Sequence, residues 1–231
     1  MPLIELKQVS KIYSSGSQRV AAIDNVDLHI DAGEFCVLAG PSGSGKTTLL
    51  NLIGCLDVAT SGTIILNNLE VSRRSVRQLA DFRLRNIGFI FQSYNLIPVL
   101  TAEENAAFPL MLQKIAKKER MQRVHTLLAQ LGLGGLEQRK PRDLSGGQQQ
   151  RVAIARAMAT APSVILADEP TANLDSKASN DLLQMMRSLN REKGTTFIFS
   201  SHDPLVINLA DRVIQLHDGH LVADHRQHNK L

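Results

Sequence analysis

Nine consecutive residues indicate the fold of this chain: Gly40-Pro41-Ser42-Gly43-Ser44-Gly45-Lys46-Thr47-Thr48. Residues 40–47 fit the pattern G-x-x-x-x-G-K-[ST], which is typical of a phosphate-binding loop. An apolar, β-type run at residues 35–39 leads into the loop, and a helical pattern at residues 49–53 leads out of it. This strand–loop–helix order is the setting that the motif needs. It disfavours the alternative, a Gly- and Ser-rich turn that merely caps a helix.

The chemistry of the loop follows from its residue types. Its glycines let backbone N–H groups approach and wrap a phosphate. The helix that follows adds the partial positive charge of its N-terminus. We expect Lys46 to reach the β- and γ-phosphates of a nucleotide and the Thr47 hydroxyl to be a ligand of Mg²⁺.

The composition is that of a globular protein with a sizeable core. The chain has 231 residues, of which 43% are apolar and 4% aromatic, so one compact or two-lobed unit is expected. Its net charge of +4 is mild and spread out, which argues against nucleic acid as a partner, because nucleic-acid-binding proteins concentrate basic residues on one face. Cys36 and Cys55 lack metal-ligand spacing and are expected to be buried thiols. No run approaches the ~18 apolar residues of a membrane span, and the N-terminus lacks the apolar core of a signal peptide.

Strand and helix patterns alternate around the loop, which predicts an α/β fold with a mostly parallel sheet. The first part of the chain is rich in strands and has one helix, the phosphate-binding one. Helical patterns dominate from about residue 93 to residue 160. We therefore expect a single domain in which residues 1–92 and 161–231 form the core and residues 93–160 an inserted helical subdomain.

Local signals mark several element ends. Thr101 and Glu104 have the spacing of a capping box at a helix start. Pro109 is expected to kink or end that helix, because proline lacks the N–H group that continues the hydrogen-bond ladder. Residues 223–231 are polar and are expected to be frayed.

A pair of carboxylates follows a second apolar strand pattern. Residues 164–167 are entirely apolar, and Asp168 and Glu169 come directly after them. Ligands bind at the carboxyl ends of the strands in open α/β sheets. We expect Asp168 to hold Mg²⁺ through water, and Glu169 to act as general base on the attacking water or to orient it. The alternative is an acidic turn at the surface, which the apolar strand and the upstream phosphate loop disfavour.

The pentapeptide Leu144-Ser145-Gly146-Gly147-Gln148 indicates the family. Ser145 and Gln148 have the spacing of a second capping box, and the two glycines leave backbone N–H groups uncovered, so this helix start is a second candidate anion site. With the phosphate loop and the carboxylate pair, it makes the whole chain resemble the nucleotide-binding subunit of an ATP-binding-cassette (ABC) transporter. The resemblance implies a P-loop NTPase fold with a mostly parallel core sheet, an antiparallel β part and an inserted helical subdomain.

The resemblance also implies an activity and a second copy of the chain. In the family, two chains pack head to tail, bind ATP with Mg²⁺ between them and hydrolyse it. The helix start at residues 145–148 of one copy closes on the γ-phosphate held by Lys46 of its partner, and so binds ATP in trans. All motifs are present in this chain, so a homodimer is expected to have two competent sites.

Other family positions carry over residue by residue. Tyr13 matches the aromatic residue that stacks on adenine, although an ordinary tyrosine at a strand edge is the alternative. Gln92 matches the residue that contacts Mg²⁺ and the attacking water. Residues 172–175 match the loop that contacts the opposite protomer. His202 matches the histidine that touches the γ-phosphate and orients Glu169.

Two stretches indicate a subgroup. Residues 54–62 and 89–98 resemble the ATPases of lipoprotein-releasing, macrolide-exporting and cell-division systems (LolD, MacB and FtsE), and Asn173 fits the same group. Ala59 and Ala172 depart from it, since Pro and Gly are common at these two positions. The resemblance implies an integral membrane permease subunit as partner, often with a periplasmic domain, and a location on the cytoplasmic face of the inner membrane.

The expected docking site of that partner lies near residues 93–112, in a groove between the two lobes. An apolar run occurs there: Tyr94, Leu96, Ile97, Pro98, Val99 and Leu100. As a docking surface it would be exposed and await a helix of the partner. As part of the core it would need no partner.

Two rival functions remain open. One is a soluble ABC ATPase acting on DNA or ribosomes, which is disfavoured because the chain has one cassette and no long coiled-coil insertion. The other is an FtsE-like regulatory ATPase that gates a membrane-bound cell-wall enzyme. The resemblance implies that the residues specific for the transported substrate lie on the membrane subunit.

Overall fold

The computed structural model describes residues 2–15 and 18–227. Its strands are β1 (Ile4–Ser15), β2 (Gln18–Ile30), β3 (Phe35–Ala39), β4 (Ser61–Leu66), β5 (Leu69–Glu70), β6 (Ile87–Ile90), β7 (Val164–Asp168), β8 (Thr196–Ser200), β9 (Arg212–His217) and β10 (His220–Arg226). Its helices are α1 (Lys46–Ile53), α2 (Ala80–Asn86), α3 (Ala102–Leu112), α4 (Lys117–Gln130), α5 (Gly146–Met158), α6 (Ser176–Lys193) and α7 (Pro204–Leu209). None of the helices in this described part has the length and hydropathy of a membrane span.

The strands form two sheets. A six-stranded sheet has the order β10-β9-β3-β8-β7-β6 and is parallel from β9 to β6. A four-stranded antiparallel sheet has the order β2-β1-β4-β5. The predicted fold, a mostly parallel core sheet with an antiparallel β part, is confirmed. Because parallel strands end at one edge, the residues that follow β3, β6, β7 and β8 meet there.

Strand β3 lies in the middle of the larger sheet and has all five residues buried. Its side chains alternate between two apolar clusters. Phe35 and Val37 belong to the cluster with the helices α3 to α6, whereas Cys36 and Leu38 belong to the cluster with α1 and the antiparallel sheet. Cys36 and Cys55 are buried free thiols, as predicted. The phosphate loop thus begins at the end of a strand that is fixed on both faces.

Helices α3, α4 and α5 pack against one another on one side of the larger sheet. Capping boxes at Thr101 and at Ser145 begin α3 and α5, as the sequence predicts. Pro109 lies inside α3, which continues to Leu112, so the prediction that this proline could end the helix is wrong. Pro109 removes only its own N–H donor, and its carbonyl still accepts the backbone N–H of Gln113 at 3.0 Å.

The end of the described chain corrects a second expectation. Residues 223–226, predicted to be frayed, belong to β10 and pair antiparallel with β9. The Arg212 guanidinium donates to both carboxylate oxygens of Asp224, at 2.7 and 2.6 Å, and Arg226 pairs with Glu34. These charged pairs hold a strand whose polar composition alone favours solvent. Residues 228–231 lie outside the described part.

Candidate ATP site

The phosphate loop connects β3 to α1, and close backbone contacts explain its glycines. Gly40 has φ +150°, and a Cβ on it would lie 2.2 Å from the carbonyl oxygen of Leu216. Gly45 has φ +101°, and a Cβ on it would lie 2.4 Å from the carbonyl oxygen of Ala22. A side chain at either position would collide with fixed backbone. The two strands that carry Leu216 and Ala22 therefore determine the curvature of the loop.

Lys46 is the first residue of α1 and only 7% exposed. Its ammonium group donates to the carbonyls of Gly40 and Pro41, at 2.9 and 2.8 Å. The positive charge is therefore held inside the loop that the sequence predicts to bind phosphate. The loop presents a cation and a helix N-terminus on the same side, a combination that favours anions.

The structure brings Thr47 and Asp168 together. The Thr47 hydroxyl donates to Oδ1 of Asp168 at 3.2 Å, although 121 residues separate them in the chain. Asp168 is the last residue of β7, and only β8 lies between β7 and β3 in the sheet. A hydroxyl and a carboxylate are oxygen ligands, the type that Mg²⁺ prefers.

Glu169 and His202 also meet. Oε1 of Glu169 lies 2.8 Å from Nδ1 of His202, and Oε2 accepts the hydroxyl of Ser201 at 2.9 Å. Glu169 has φ +45°, and its backbone N–H donates to the carbonyl of Ser200 at 2.9 Å. Both carboxylate oxygens thus have a partner from the segment that follows β8. The Glu169 side chain is 17% exposed and that of His202 is 74% exposed, so the imidazole is open to the cleft.

Lys46, Thr47, Glu169 and His202 line one cleft of about 560 Å³, which we call the central cleft. Gln92, which follows β6, lies on its wall, and its carbonyl accepts the side-chain amide of Asn173 at 2.8 Å. The lining residues come from distant places in the sequence, among them Ala22 and its neighbours, the phosphate loop, Gln92 and the segment after β8. The volume falls in the range usual for small-molecule sites, about 300–1,000 Å³.

Tyr13 lies on β1 with its ring partly exposed. Its hydroxyl donates to Oδ2 of Asp57 at 2.7 Å, and the Lys11 ammonium lies 4.8 Å from the ring centre. Burial and the bond to Asp57 raise the pKa of the Tyr13 hydroxyl, and Thr48 acts in the opposite direction. The ring is therefore held in one place beside the end of the phosphate loop, with Lys11 over one face.

The pentapeptide at residues 144–148 lies apart from the central cleft. Ser145 caps α5: its hydroxyl accepts the Gln148 N–H at 3.3 Å, and the Gln148 side chain accepts the Ser145 N–H at 2.9 Å. Ser145, Gly147 and Gln148 line a different cleft of about 300 Å³ together with Asp175. Within one chain, the two predicted anion sites do not form a single pocket.

The apolar run at residues 94–100 is partly exposed, as a docking surface would be, and partly buried, as a core segment would be. Leu96 is half-buried and packs on the helical cluster, whereas Val99 is 72% exposed. The fully buried Asn105 holds this loop through its side-chain amide, which bonds to Ile97 N–H at 2.7 Å and to the carbonyls of Ile97 and Leu100, each at 3.1 Å. The exposed Val99 therefore lies on a loop that the hydrogen bonds of Asn105 hold in place.

Three contacts of the site could not be predicted from the sequence. They are the contacts of Ser201 with Glu169, of Asn173 with Gln92 and of Asp57 with Tyr13. In the sequence, Ser201 is only a neighbour of His202, whereas Asn173 and Asp57 are noted only because they resemble the subgroup. Their partners lie 32, 81 and 44 residues away in the chain. Spacing along the sequence carries no signal for such pairs, although the two serines before His202 mark a polar strand end.

The whole chain is similar to known proteins. The family model for ABC transporters matches residues 23–172. The lipoprotein-releasing system ATP-binding protein LolD of Anaeromyxobacter dehalogenans is 46% identical over 224 residues, covering 96% of this chain and 94% of LolD. The macrolide export ATP-binding/permease protein MacB of Hyphomonas neptunium is 48% identical over 223 residues, covering 96% of this chain but 34% of MacB.

A solved structure is also similar. The dimeric ATP-binding cassette MJ0796 of Methanocaldococcus jannaschii, in a post-hydrolysis state with ADP and Pi, matches with a TM-score of 0.89. The two sequences are 43% identical, and the match covers 96% of this chain and 98% of the other. The chain therefore belongs to the ABC transporter family, as an ATP-binding cassette that hydrolyses ATP.

Proposed function

We propose that this chain is the ATP-hydrolysing subunit of a LolD- or MacB-like transporter, and that ATP-driven closure of a homodimer moves a partner membrane subunit. The observation that carries this proposal is that Lys46, Thr47, Glu169 and His202 line the central cleft. Asp168 is bonded to Thr47, and Glu169 to His202. A phosphate site, a metal-ligand pair and a held carboxylate in one cleft are the parts that nucleotide hydrolysis needs.

ATP with Mg²⁺ is the ligand that the residues of the central cleft suit. Residues 40–48 would wrap the phosphates, with Lys46 at the β- and γ-phosphates. Thr47, Gln92 and Asp168 would hold Mg²⁺, since all three offer oxygen atoms. Bound Mg²⁺ would neutralise charge on the phosphates. Tyr13 would stack on adenine with the ring face opposite Lys11.

Glu169 would orient the attacking water and accept its proton. Ser201 and His202 each bond one of its carboxylate oxygens, so the carboxylate has little rotational freedom. A positioned base contributes about 10²–10⁴-fold to such a reaction. The His202 side chain is 74% exposed, so its second nitrogen would be available to the γ-phosphate.

The site would be completed by a second copy of the chain. The helix N-terminus at Ser145, Gly146, Gly147 and Gln148 lies in a separate cleft of its own chain. It would therefore contact only an ATP molecule that is bound in the central cleft of the partner chain. The dimeric state of the similar cassette MJ0796 supports this arrangement. Residues 1–92 and 161–231 would act as the ATP-binding core and residues 93–160 as a helical subdomain.

The membrane subunit would dock between these two parts. A cleft of about 190 Å³ lies there, lined by Phe89 and Phe91 from the core and by Pro109 from α3. The exposed Val99, on its fixed loop, lies in the same region of the chain. Similarity to MacB, an ATP-binding/permease protein, supports an integral membrane permease as the partner, and the family resemblance implies that this permease has a periplasmic domain. The chain would therefore work at the cytoplasmic face of the inner membrane, and without nucleic acid.

The variant Glu169→Gln tests this proposal. We expect it to bind Mg-ATP, to hydrolyse it about 100-fold or more slowly because the base is lost, and to elute as a dimer in size-exclusion chromatography with Mg-ATP. Glu192→Gln, an exposed position on α6, is the matched control and should behave as the unaltered chain. Lys46→Ala should lose ATP affinity and remain monomeric. A monomeric Glu169→Gln protein saturated with Mg-ATP would contradict the shared site.

A further inference from the structure

The segment after Gln92 has an unusual backbone. Tyr94 and Asn95 are consecutive residues with φ of +57° and +47°. Left-handed conformations cost energy for residues other than glycine and persist only where surrounding contacts impose them. Tyr94 is the costlier of the two, since Asn is among the residues that tolerate this region. Contacts from elsewhere in the chain must therefore hold this turn.

Arg156, in the last turn of α5, makes two of these contacts. Its guanidinium donates to the carbonyls of Tyr94 at 2.8 Å and Asn95 at 2.5 Å. The side chain is half-buried, and burial lowers its pKa. Within the described chain, no carboxylate lies at ion-pair distance from it, unlike Arg187 or Arg212. A desolvated guanidinium without a carboxylate is costly for stability, so its two carbonyl bonds indicate a positioning role.

The side chain of Tyr94 reaches the other end of the same helix. Its hydroxyl oxygen lies 2.9 Å from where a Cβ on Gly146 would be. Gly146 is the first residue of α5 and part of the pentapeptide. The segment after Gln92 thus touches the first turn of α5 through Tyr94 and the last turn through Arg156, while Asn173 holds the carbonyl of Gln92.

We propose that Tyr94 and Arg156 form a clasp that fixes the Gln92 segment to α5, and that both are positioning residues for ATP hydrolysis. The clasp makes Gln92, in the central cleft of one chain, and Gly146, which faces the partner's ATP, move as one body. It rests on the proposed function, because Gln92 and Gly146 act on the same reaction only in a shared site. The planar fork of arginine suits this role, because its N–H groups have fixed directions in one plane, whereas the ammonium of lysine is a point charge on a flexible stem that does not impose one geometry on two carbonyls.

The test is a double-mutant cycle between the clasp and Gln92, with kcat and KM for ATP measured in the full chain. In the unaltered background, we expect Arg156→Lys to lower kcat about tenfold with KM unchanged, because a displacement of about 1 Å can cost ~100-fold. In a Gln92→Ala background, Arg156→Lys should lower kcat less than about twofold, because its effect passes through Gln92. A merely structural role of Arg156 would give equal losses in both backgrounds.

Two further variants complete the design. Tyr94→Phe removes only the hydroxyl and should lower kcat in the same background-dependent way; it carries the test should Arg156→Lys not fold. Arg120→Lys is the matched control, since Arg120 on α4 donates to one carbonyl, that of Ile115 at 3.4 Å, and should leave kcat unchanged in both backgrounds.

Each outcome decides a different question. Equal losses in both backgrounds, or no loss in either, overturn the clasp and leave the proposed function standing. A Gln92→Ala protein with unaltered kcat also overturns the clasp, because the route through Gln92 would then be absent. An unaltered chain that does not hydrolyse ATP overturns the proposed function, and the clasp with it.

Discussion

At the residue scale, Lys46 and Glu169 are the two charged groups closest to the expected chemistry, and hydrogen bonds to polar neighbours hold both of them. Lys46 bonds two carbonyls of its own loop, and Glu169 bonds Ser201 and His202. Each side chain is therefore oriented before ATP arrives. Preorganised charges of this kind cost little reorganisation during reaction.

The Tyr13 ring gives a residue-scale prediction. Asp57 bonds both the Tyr13 hydroxyl and the Lys11 ammonium, each at 2.7 Å, so it sets the position of the ring. We expect Asp57→Asn to raise KM for ATP about three- to tenfold with kcat nearly unchanged, since a hydrogen bond to a charged group is worth about 1.5–3 kcal/mol and only part of it is lost. Steady-state kinetics with ATP and with GTP would measure this.

The control for Asp57 is Tyr13→Phe, which keeps the ring and removes only the hydroxyl. If Asp57 acts through the ring position, Tyr13→Phe should shift KM in the same direction. An unchanged KM in Asp57→Asn would mean that the ring is held without Asp57, or that Tyr13 takes no part in binding.

At the element scale, the groups around the expected phosphate and metal positions lie at element ends. The loop after β3, Gln92 after β6, Asp168 at the end of β7 and His202 after β8 all lie at one edge of the parallel sheet. The start of α5 presents the pentapeptide at a helix N-terminus. Strands supply fixed positions in this fold, and the segments that follow them supply the chemistry.

The loop between β6 and α3 carries the element-scale prediction. Val99→Asp should leave basal ATP hydrolysis unchanged, because the side chain is 72% exposed. It should abolish the stimulation of hydrolysis by the proposed membrane subunit, since a buried, unpaired carboxylate disrupts an apolar contact. Val222→Asp, at an exposed valine of β10, is the control. Unchanged stimulation of Val99→Asp by that subunit in reconstituted vesicles would place docking elsewhere.

At the scale of the whole molecule, Arg212 joins the two sheets. The Arg212 side chain is 5% exposed and bonds Asp224 of β10, Glu34 of the β2–β3 turn and the carbonyl of His29 in β2. The hydrogen bond from Arg212 holds the pKa of Asp224 below its ordinary value. The network thus ties the antiparallel sheet to the edge of the parallel one.

The acid stability of the fold should reflect this network. Because the pKa of Asp224 is lowered in the folded protein, its ionised form adds stability above about pH 4, and this is lost as pH falls through the lowered value. Asp224→Asn should reduce the free energy of unfolding by about 1–3 kcal/mol at pH 7. The difference from the unaltered chain should disappear in strong acid. Urea unfolding across pH, with Asp81→Asn at an exposed pair as control, would measure both.

Much of this protein could be predicted from local pattern. The phosphate loop, the carboxylates after β7, both capping boxes and the order of strands and helices depend on residues close in sequence, where spacing determines geometry. Family similarity added the prediction that residues 145–148 act in trans. Two predictions were wrong, that residues 223–226 are frayed and that Pro109 could end its helix. Tertiary ion pairs and helix packing outweigh local polarity and propensity at these positions.

The sequence by itself therefore determined the phosphate-loop pattern at Gly40–Thr48 and the strand and helix on either side of it. Only the tertiary structure decided which groups hold the candidate site residues and the loop beside them: Asp57 at Tyr13, Ser201 at Glu169, Asn173 at Gln92, and Arg156 at Tyr94. These partners are brought together by the sheet order and the packing of α5, not by spacing along the chain. Hydrogen bonds need positions matched to a few tenths of an ångström, and that precision exists only after the elements have packed.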